Sequence, residues 1–115
     1  MTTEKFNRII TEQIERSTNV LIKKAGEYAT EKDRLHNFKV AAALQGISVK
    51  EALAGMMCKH IVSIYDMCWD GKPHSIEMWN EKITDSINYL LLLRAVVEES
   101  DVLLRAVVEE SEEDK

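Results

Sequence analysis

Apolar positions in the first thirty residues recur at the spacing of an α-helix. The intervals between them are close to whole numbers of turns, and Thr2 or Thr3 is suited to cap the helix that they predict. Polar residues at 17–19 interrupt this stripe, so the segment is either one long, kinked helix or two helices. We favour one long helix that ends between 26 and 30. Its predicted inward positions are Phe6, Ile10, Ile14, Leu21, Ala25 and Tyr28.

Capping signals divide the middle of the chain into two further helices. Asp33 can cap a short helix over 34–45, which Gly46 closes. Ser48, followed three residues later by Glu51, is a capping box and begins a long third helix. The predicted core stripe of the third helix is Leu53, Met57, Ile61, Ile64, Tyr65 and Cys68.

The fourth helix carries two different faces side by side. A turn at 70–73 precedes it, and Ser75 can cap it. One face is acidic and ends in an amide: Glu77, Glu81, Asp85 and Asn88. The face beside it is apolar: Ile76, Trp79, Ile83, Ile87 and Leu90. The helix is therefore expected to present acids and an amide along the edge of a core.

An 11-residue repeat extends the fourth helix beyond the predicted core. The sequence at 92–100 recurs word for word at 103–111, and eleven residues make almost three turns, so both copies place their leucines and valines on nearly the same face. The repeat is either a helical tail that packs on a partner subunit or a tandem duplication that forms an appendage. We expect a helical domain at 1–97 and a C-terminal extension at 98–115.

Composition supports an all-α fold. The 115 residues are 45% hydrophobic and include only 4 Gly and 1 Pro, too few for many strands and turns, so we predict a four-helix core with one short helix and an extended last helix. The formal net charge of -5 disfavours a large nucleic-acid footprint. No apolar run reaches the roughly 18 to 20 residues of a membrane span, and the N-terminus lacks a signal-peptide layout. A cytoplasmic protein is expected, with Cys58 and Cys68 as buried, unbridged thiols.

The acidic row of the fourth helix has two interpretations. It is either a solvated helix face or a site in which Glu81 and Asp85, one turn apart, share a divalent cation. Asn88 leads an almost wholly apolar segment, which favours the second interpretation because an amide in such a setting is expected to have a partner. Glu27 lies in the last turn of the first helix, where an acid interacts unfavourably with the helix dipole. This unfavourable position suggests a functional role for the Glu27 carboxylate.

Four short motifs carry a resemblance to a known family. They are the Glu-Tyr-Ala at 27–29, the run from Asp33 to Phe38, the run from Lys59 to Ile64, and the segment from Glu77 to Tyr89. In this order they resemble the small phage and bacterial domains called nucleotide-modification-associated. That group is similar to the all-α nucleoside triphosphate pyrophosphatases, the MazG-like and dimeric dUTPase-like enzymes. The resemblance covers roughly residues 18–97.

The resemblance implies a helical core that forms a homodimer or homotetramer and cleaves a nucleotide between its α- and β-phosphates. Glu81 and Asp85 would hold Mg²⁺. Lys59 would neutralise charge on the phosphates, and Glu27 or Asp66 would orient the attacking water. Each of these three residues fits an exposed surface position equally well. Asn88 matches the amide of the Asn-Tyr signature. Asn37 could touch the base or a phosphate, although a capping or surface role fits it as well. Trp69 and Trp79 could stack on a base, but their helical spacing favours core positions.

The chain departs from the MazG-like pattern in two ways. Those enzymes carry a second acidic pair on the helix before the last one, where this chain has Lys59, His60, Ser63 and Asp66. The pair on the last helix is spaced by four residues rather than three. The expected function is a magnesium-dependent nucleoside triphosphate pyrophosphohydrolase of a phage or prophage, acting in the host cytoplasm. The alternatives are a non-catalytic oligomer that binds a nucleotide or a host protein, and a helical assembly or regulatory protein.

Overall fold

Across the residues that it describes, a computed structural model shows four helices, which confirms the predicted all-α fold. They are α1 (Thr3–Tyr28), α2 (His36–Gln45), α3 (Val49–Trp69) and α4 (Ile76–Glu113). The structure describes the backbone of residues 1–28 and 33–113 and the side chains of residues 1–23 and 33–113. Within these residues, no helix is long and apolar enough to cross a membrane.

Most of the predicted helix starts are confirmed by their hydrogen bonds. The Lys5 backbone N–H donates to the Thr2 hydroxyl at 3.1 Å, and the Met78 N–H donates to the Ser75 hydroxyl at 3.1 Å. α1 continues unbroken through residues 17–19, as one long helix. α2 ends at Gly46, whose φ of 67° is the left-handed conformation that glycine adopts without strain.

The start of α2 differs from the prediction. The helix begins two residues later than expected, and its cap position is Leu35 rather than Asp33. The Asp33 carboxylate accepts the Leu35 backbone N–H at 2.9 Å and the Lys39 ammonium at 2.7 Å. Asp33 therefore closes an Asx turn just before the helix, because its side chain bonds two residues ahead.

The capping box at the start of α3 is fully formed. The Glu51 N–H donates to the Ser48 hydroxyl, and the Ser48 N–H donates to the Glu51 carboxylate, both at 3.1 Å. We expect Ser48→Ala to lower the free energy of unfolding by about 1 kcal/mol, since an alanine leaves the helix N–H without its acceptor. Urea denaturation would measure the loss. Ser48→Asp, which restores an acceptor, should recover most of it, and equal stability of wild type and Ser48→Ala would contradict this account.

α4 lies between α1 and α3. Gln13 of α1 bonds to Thr84, and Leu21 lines a cavity with Leu91 and Leu92, so α1 and α4 run in the same direction. α3 runs opposite to α4, because its residue His60 lies beside Asp85 while the earlier Leu53 lies beside Val96. The whole chain measures 62 × 34 × 26 Å.

The main core cluster is small and lies where α2, α3 and α4 meet. Leu35, Phe38, Leu53 and Val96 are buried together, and five partly buried side chains pack against them. Leu53 has no exposed surface at all. This cluster joins the short helix to the two long ones and fixes the position of the segment that carries Asp33.

Several predicted core positions are on the surface instead. Phe6, Ile10 and Ile14 of α1, Ile61, Tyr65 and Cys68 of α3, and Ile76, Ile83 and Leu90 of α4 are all exposed. Their spacing was correctly read as one face of a helix, but periodicity does not say what covers that face. Within residues 1–28 and 33–113, there is no further long helix to lie against these faces.

The cysteines and one tryptophan also differ from expectation. Cys58 and Cys68 are free, as predicted, but both are exposed rather than buried. Trp69, which helical spacing favours as a core residue, is 75% exposed and has Tyr65 as its aromatic neighbour at a centroid distance of 6.1 Å. Trp79 is partly buried and meets the edge of His74.

Candidate functional site

The facing sides of α3 and α4 bring two polar rings and one carboxylate together. The His60 Nδ1 lies 4.0 Å from a carboxylate oxygen of Asp85, and its ring lies 4.8 Å from that of Tyr89. The side chains of His60 and Asp85 are 21% and 19% exposed. This half-buried group forms because α3 presents His60 at the level where α4 presents Asp85 and, one turn later, Tyr89.

Glu81 lies one turn before Asp85 on α4. A separation of four residues places both side chains on one flank of the helix, with Glu81 exposed and Asp85 partly buried. In the described part of the chain, no three His, Cys, Asp or Glu side chains lie close enough together to hold a metal ion by themselves. A cation at this flank would therefore take two carboxylates from this chain and its other ligands from elsewhere.

Asn88 lies on the same flank and is buried. It is 6% exposed, and its side-chain oxygen Oδ1 has no hydrogen-bond partner among the described residues. An acceptor that is buried without a partner is destabilising by roughly 1–3 kcal/mol, so such a group calls for an explanation. The partner expected for the Asn88 oxygen is not found among the side chains that the structure describes.

A short row of hydrogen-bonded polar side chains joins α1 to α4 next to Asn88. Gln13 donates to Ser17 at 3.1 Å and to Thr84 at 3.0 Å, and Ser17 and Thr84 are both buried. Thr84 is one turn before Asn88, so the two lie on the α1-facing side of α4. These three side chains hydrogen-bond to one another, whereas the Asn88 oxygen has no partner among the described residues.

A cavity of about 480 Å³ opens further along α4. Seven residues, or about 10 Å along the helix axis, separate Asp85 from Leu92 in its wall. Its volume lies within the range of small-molecule sites, and its walls combine apolar side chains with three charged ones. The lining residues are Leu21, Asp33, Arg34, Leu35, Leu91, Leu92, Ala95 and Glu99.

An ion-pair network holds the charged wall of this cavity. The Lys39 ammonium contacts Asp33 at 2.7 Å and Glu99 at 2.6 Å, and the Arg34 guanidinium donates to the Leu21 carbonyl at 3.2 Å. The hydrogen bond from Lys39, and then that from the Leu35 N–H, lowers the pKa of Asp33 below its usual value, and the two carboxylates raise the pKa of Lys39. Because the pKa of Asp33 is lower in the folded chain, its contribution to stability is complete above the ordinary carboxyl pKa and is lost as the pH falls through the lowered value.

The other predicted site residues are more dispersed. Lys59 is exposed on α3 immediately before His60, and Asp66 is exposed two turns further along the same flank of α3. Asn37 is exposed in the first turn of α2. The side chain of Glu27 lies outside the described residues. The structure thus brings Asp85 together with Asn88 and Glu81 on one flank of α4 and leaves Asn37 apart from them.

Sequence reasoning missed the cavity and the partners of Lys39. Glu99 is sixty residues from Lys39, and no local pattern signals a contact over that separation. Leu91 and Leu92 read only as part of an apolar run. The neighbours of His60, which are Asp85 and Tyr89, follow only from the antiparallel packing of α3 on α4.

Comparison of the chain with models of protein families, with curated proteins and with solved structures gave no match.

Proposed function

We propose that this chain binds a nucleoside triphosphate together with Mg²⁺ along one flank of α4 and hydrolyses it to a nucleoside monophosphate and pyrophosphate. Glu81 and Asp85 would hold the phosphates through the cation, and the cavity near Leu92 would take the nucleoside. The order of the four short motifs resembles that of phage nucleotide-modification-associated domains. That resemblance supports a phage or prophage enzyme acting on nucleotide pools in the host cytoplasm.

The unpartnered oxygen of Asn88 carries the proposal. Asn88 lies between the acidic pair and the cavity on the same flank of α4, and its Oδ1 is buried without a partner among the described residues. A ligand that donates a hydrogen bond, such as a sugar hydroxyl, would satisfy this acceptor once the amide turns toward the flank, because the oxygen itself has almost no accessible surface. A nucleotide laid along the flank would place its sugar between its phosphates and its base, which is the place where Asn88 lies.

The dimensions of the flank also favour an elongated ligand. Asp85 and Leu92 are about 10 Å apart along α4, which is comparable with the length of a nucleoside monophosphate. The cavity has apolar walls for the faces of a base and the charged groups of Arg34 and Glu99 for its edge. An inorganic phosphate or a short diphosphate would use only one end of this arrangement.

The donor set fits Mg²⁺. Carboxylate oxygens are its preferred protein ligands, and it is usually held by one or two carboxylates with substrate phosphates and waters completing the shell. Glu81 and Asp85 provide two carboxylates one turn apart. The bound cation would neutralise charge on the phosphates and polarise their oxygens.

The remaining roles follow from charge and position. In the reaction, the oxygen of a water molecule bonds to phosphorus, and the bond to the oxygen bridging the α- and β-phosphates breaks as pyrophosphate leaves. Lys59 would offer a positive charge to the phosphates as a point cation. Asp66 or Glu27 would accept the proton of the water. His60 contacts Asp85 and would hold that carboxylate in place.

Pyrophosphate release tests this proposal. The full chain would be incubated with each of the ribo- and deoxyribonucleoside triphosphates in the presence of Mg²⁺ or Mn²⁺, with EDTA as the control. We expect release from at least one nucleotide and none after chelation. A folded, helical sample that releases pyrophosphate from none of them would overturn the hydrolase assignment.

Asn88→Ala is expected to weaken nucleotide binding by about fivefold, since one hydrogen bond to the ligand is worth about 1 kcal/mol. Isothermal titration with a triphosphate analogue that cannot be cleaved between the α- and β-phosphates would measure it. Ser86→Ala is the matched control: Ser86 is equally buried and its hydroxyl is also unpartnered among the described residues, but it faces away from the flank. Equal losses in both variants would show that Asn88 acts only through stability.

A binding protein without turnover is the second candidate. It is favoured because, in the part of the chain that the structure describes, no three His, Cys, Asp or Glu side chains lie close enough together to hold a metal ion. Such a protein would bind the same nucleotide and release no pyrophosphate from it. The titration and the release assay together separate the two candidates, because only the hydrolase gives a positive result in both.

A further inference from the structure

A stripe of large apolar side chains runs along α4 at intervals of seven residues. Ile76, Ile83, Leu90, Val97 and Leu104 form this seam, and they are between 36% and 66% exposed. An α-helix has 3.6 residues per turn, so a strict seven-residue apolar repeat winds slowly around it and matches a second helix in a left-handed supercoil. The seam is thus patterned to pack against another helix, and its side chains are left exposed by the residues that the structure describes.

The exposed area of the chain is larger than that of a compact monomer. Its accessible surface is 8798 Å², whereas a folded monomer of 13.2 kDa is expected to expose about 6,400 Å². The excess, about 2,400 Å² per chain, is in the range that one partner buries in an obligate dimer. A small peptide or a single small molecule would cover only a fraction of it.

The end of α4 contributes much of this excess. Every described side chain from 100 to 113 is exposed, including the large apolar Val102, Leu104, Val107 and Val108. A helix end made of polar residues is stable in water without a partner, but this helix end continues the apolar seam through Leu104. It therefore extends an apolar surface beyond the part of α4 that α1 and α3 support.

Charges beside the seam indicate how a second helix would lie. Arg94 follows Leu90 by four residues, and Asp101 follows Val97 by four, so they lie on the same side of the seam with opposite signs. Within the chain, Arg94 pairs with Glu98 at 2.8 Å and Asp101 pairs with Arg105 at 3.1 Å, and both pairs are exposed and open to exchange with a partner subunit. Two α4 helices crossing antiparallel near Val97 would place Arg94 beside Asp101 of the partner subunit, twice over. A parallel pair would instead oppose like charges at both positions.

We infer that α4 is the dimerisation helix, pairing antiparallel with α4 of a second copy of this chain along the seam. The end of α4 in one copy then covers Ile83 and Leu90 in the other. The seam and the proposed nucleotide site do not compete, because Ile83 and Asp85 are two residues apart and point about 200° away from each other around the helix. The inference stands independently of the proposed function.

Sedimentation equilibrium of the full chain tests it. Wild type is expected to have twice the chain mass of 13.2 kDa, and Ile83→Glu with Leu90→Glu is expected to be a monomer at the same concentration. The matched control is Ile61→Glu with Val62→Glu, an equally exposed apolar pair on α3, which should remain a dimer. A monomeric wild type, or dissociation by the control but not by the seam variant, would overturn the inference.

A charge exchange tests the orientation and does not depend on the seam variant folding. Arg94→Glu is expected to weaken the dimer by at least about tenfold, because each Asp101 then faces a glutamate, and adding Asp101→Arg should restore it. Circular dichroism confirms that the helices are retained. Failure of the second change to restore the dimer would refute the antiparallel pairing.

Discussion

Asp85→Asn is expected to reduce metal-dependent pyrophosphate release on the order of 100-fold or more, which is the scale of losing a charged group that stabilises the reacting phosphates. The substitution keeps the size and shape of the side chain but removes the negative charge that the cation requires. Because Asp85 is partly buried beside His60 and Tyr89, a near-isosteric change should leave the helices intact. Release assays at saturating Mg²⁺, with circular dichroism on the same samples, would measure both properties.

Asp70→Asn is the matched control for this variant. Asp70 also pairs with a histidine, His74, at 2.8 Å, and its side chain is 28% exposed, but it lies in the turn between α3 and α4. It should retain the rate of pyrophosphate release seen in wild type. Wild-type turnover in Asp85→Asn would refute the site assignment, and an equal loss in both variants would point to a general effect of removing an acid.

Leu53→Ala is expected to produce the largest loss of stability, roughly 2–5 kcal/mol, because Leu53 is completely buried and alanine leaves a cavity in the small core. That is a large part of the roughly 5–15 kcal/mol by which a typical domain is stable. Urea denaturation at one fixed protein concentration would measure the loss, since association also contributes to stability.

Leu44→Ala provides the comparison for this core substitution. Leu44 belongs to α2 but is 83% exposed, so the same chemical change should alter the free energy of unfolding by no more than about 0.5 kcal/mol. A loss at Leu44 similar to that at Leu53 would mean that the surface of α2 is covered in solution. A negligible loss at Leu53 would contradict the position of the core.

Features set by neighbouring residues could be predicted from the sequence. Ser48 and Glu51 form a capping box through contacts three residues apart, and Gly46 closes α2 through its own backbone conformation, so both were found before any tertiary structure was known. The number of helices and their lengths follow from the same local signals. Asp33 is the exception, because an aspartate before a helix can serve either as the cap or as the first residue of an Asx turn.

Features set by packing could not be predicted in the same way. The spacing of Ile83 and Leu90 correctly indicated one apolar face of α4, but a periodic pattern is the same whether the face meets the chain's own core or another molecule. The contact between Lys39 and Glu99 depends on how α2 and α4 are arranged. The acidic pair at Glu81 and Asp85 was visible in the sequence, whereas the burial of Asn88 and the cavity beside it required the fold.

The most direct test of the nucleotide site is a binding measurement that does not depend on turnover. Isothermal titration of the full chain would use purine and pyrimidine deoxynucleoside triphosphates with a methylene bridge between the α- and β-phosphates, in Mg²⁺ and in EDTA. We predict saturable binding of at least one analogue in Mg²⁺, lost in EDTA and in the variant Glu81→Gln with Asp85→Asn. Absence of binding to every analogue by the folded wild-type chain, or binding that this double variant retains in full, would contradict the assignment of this flank of α4 as the nucleotide site.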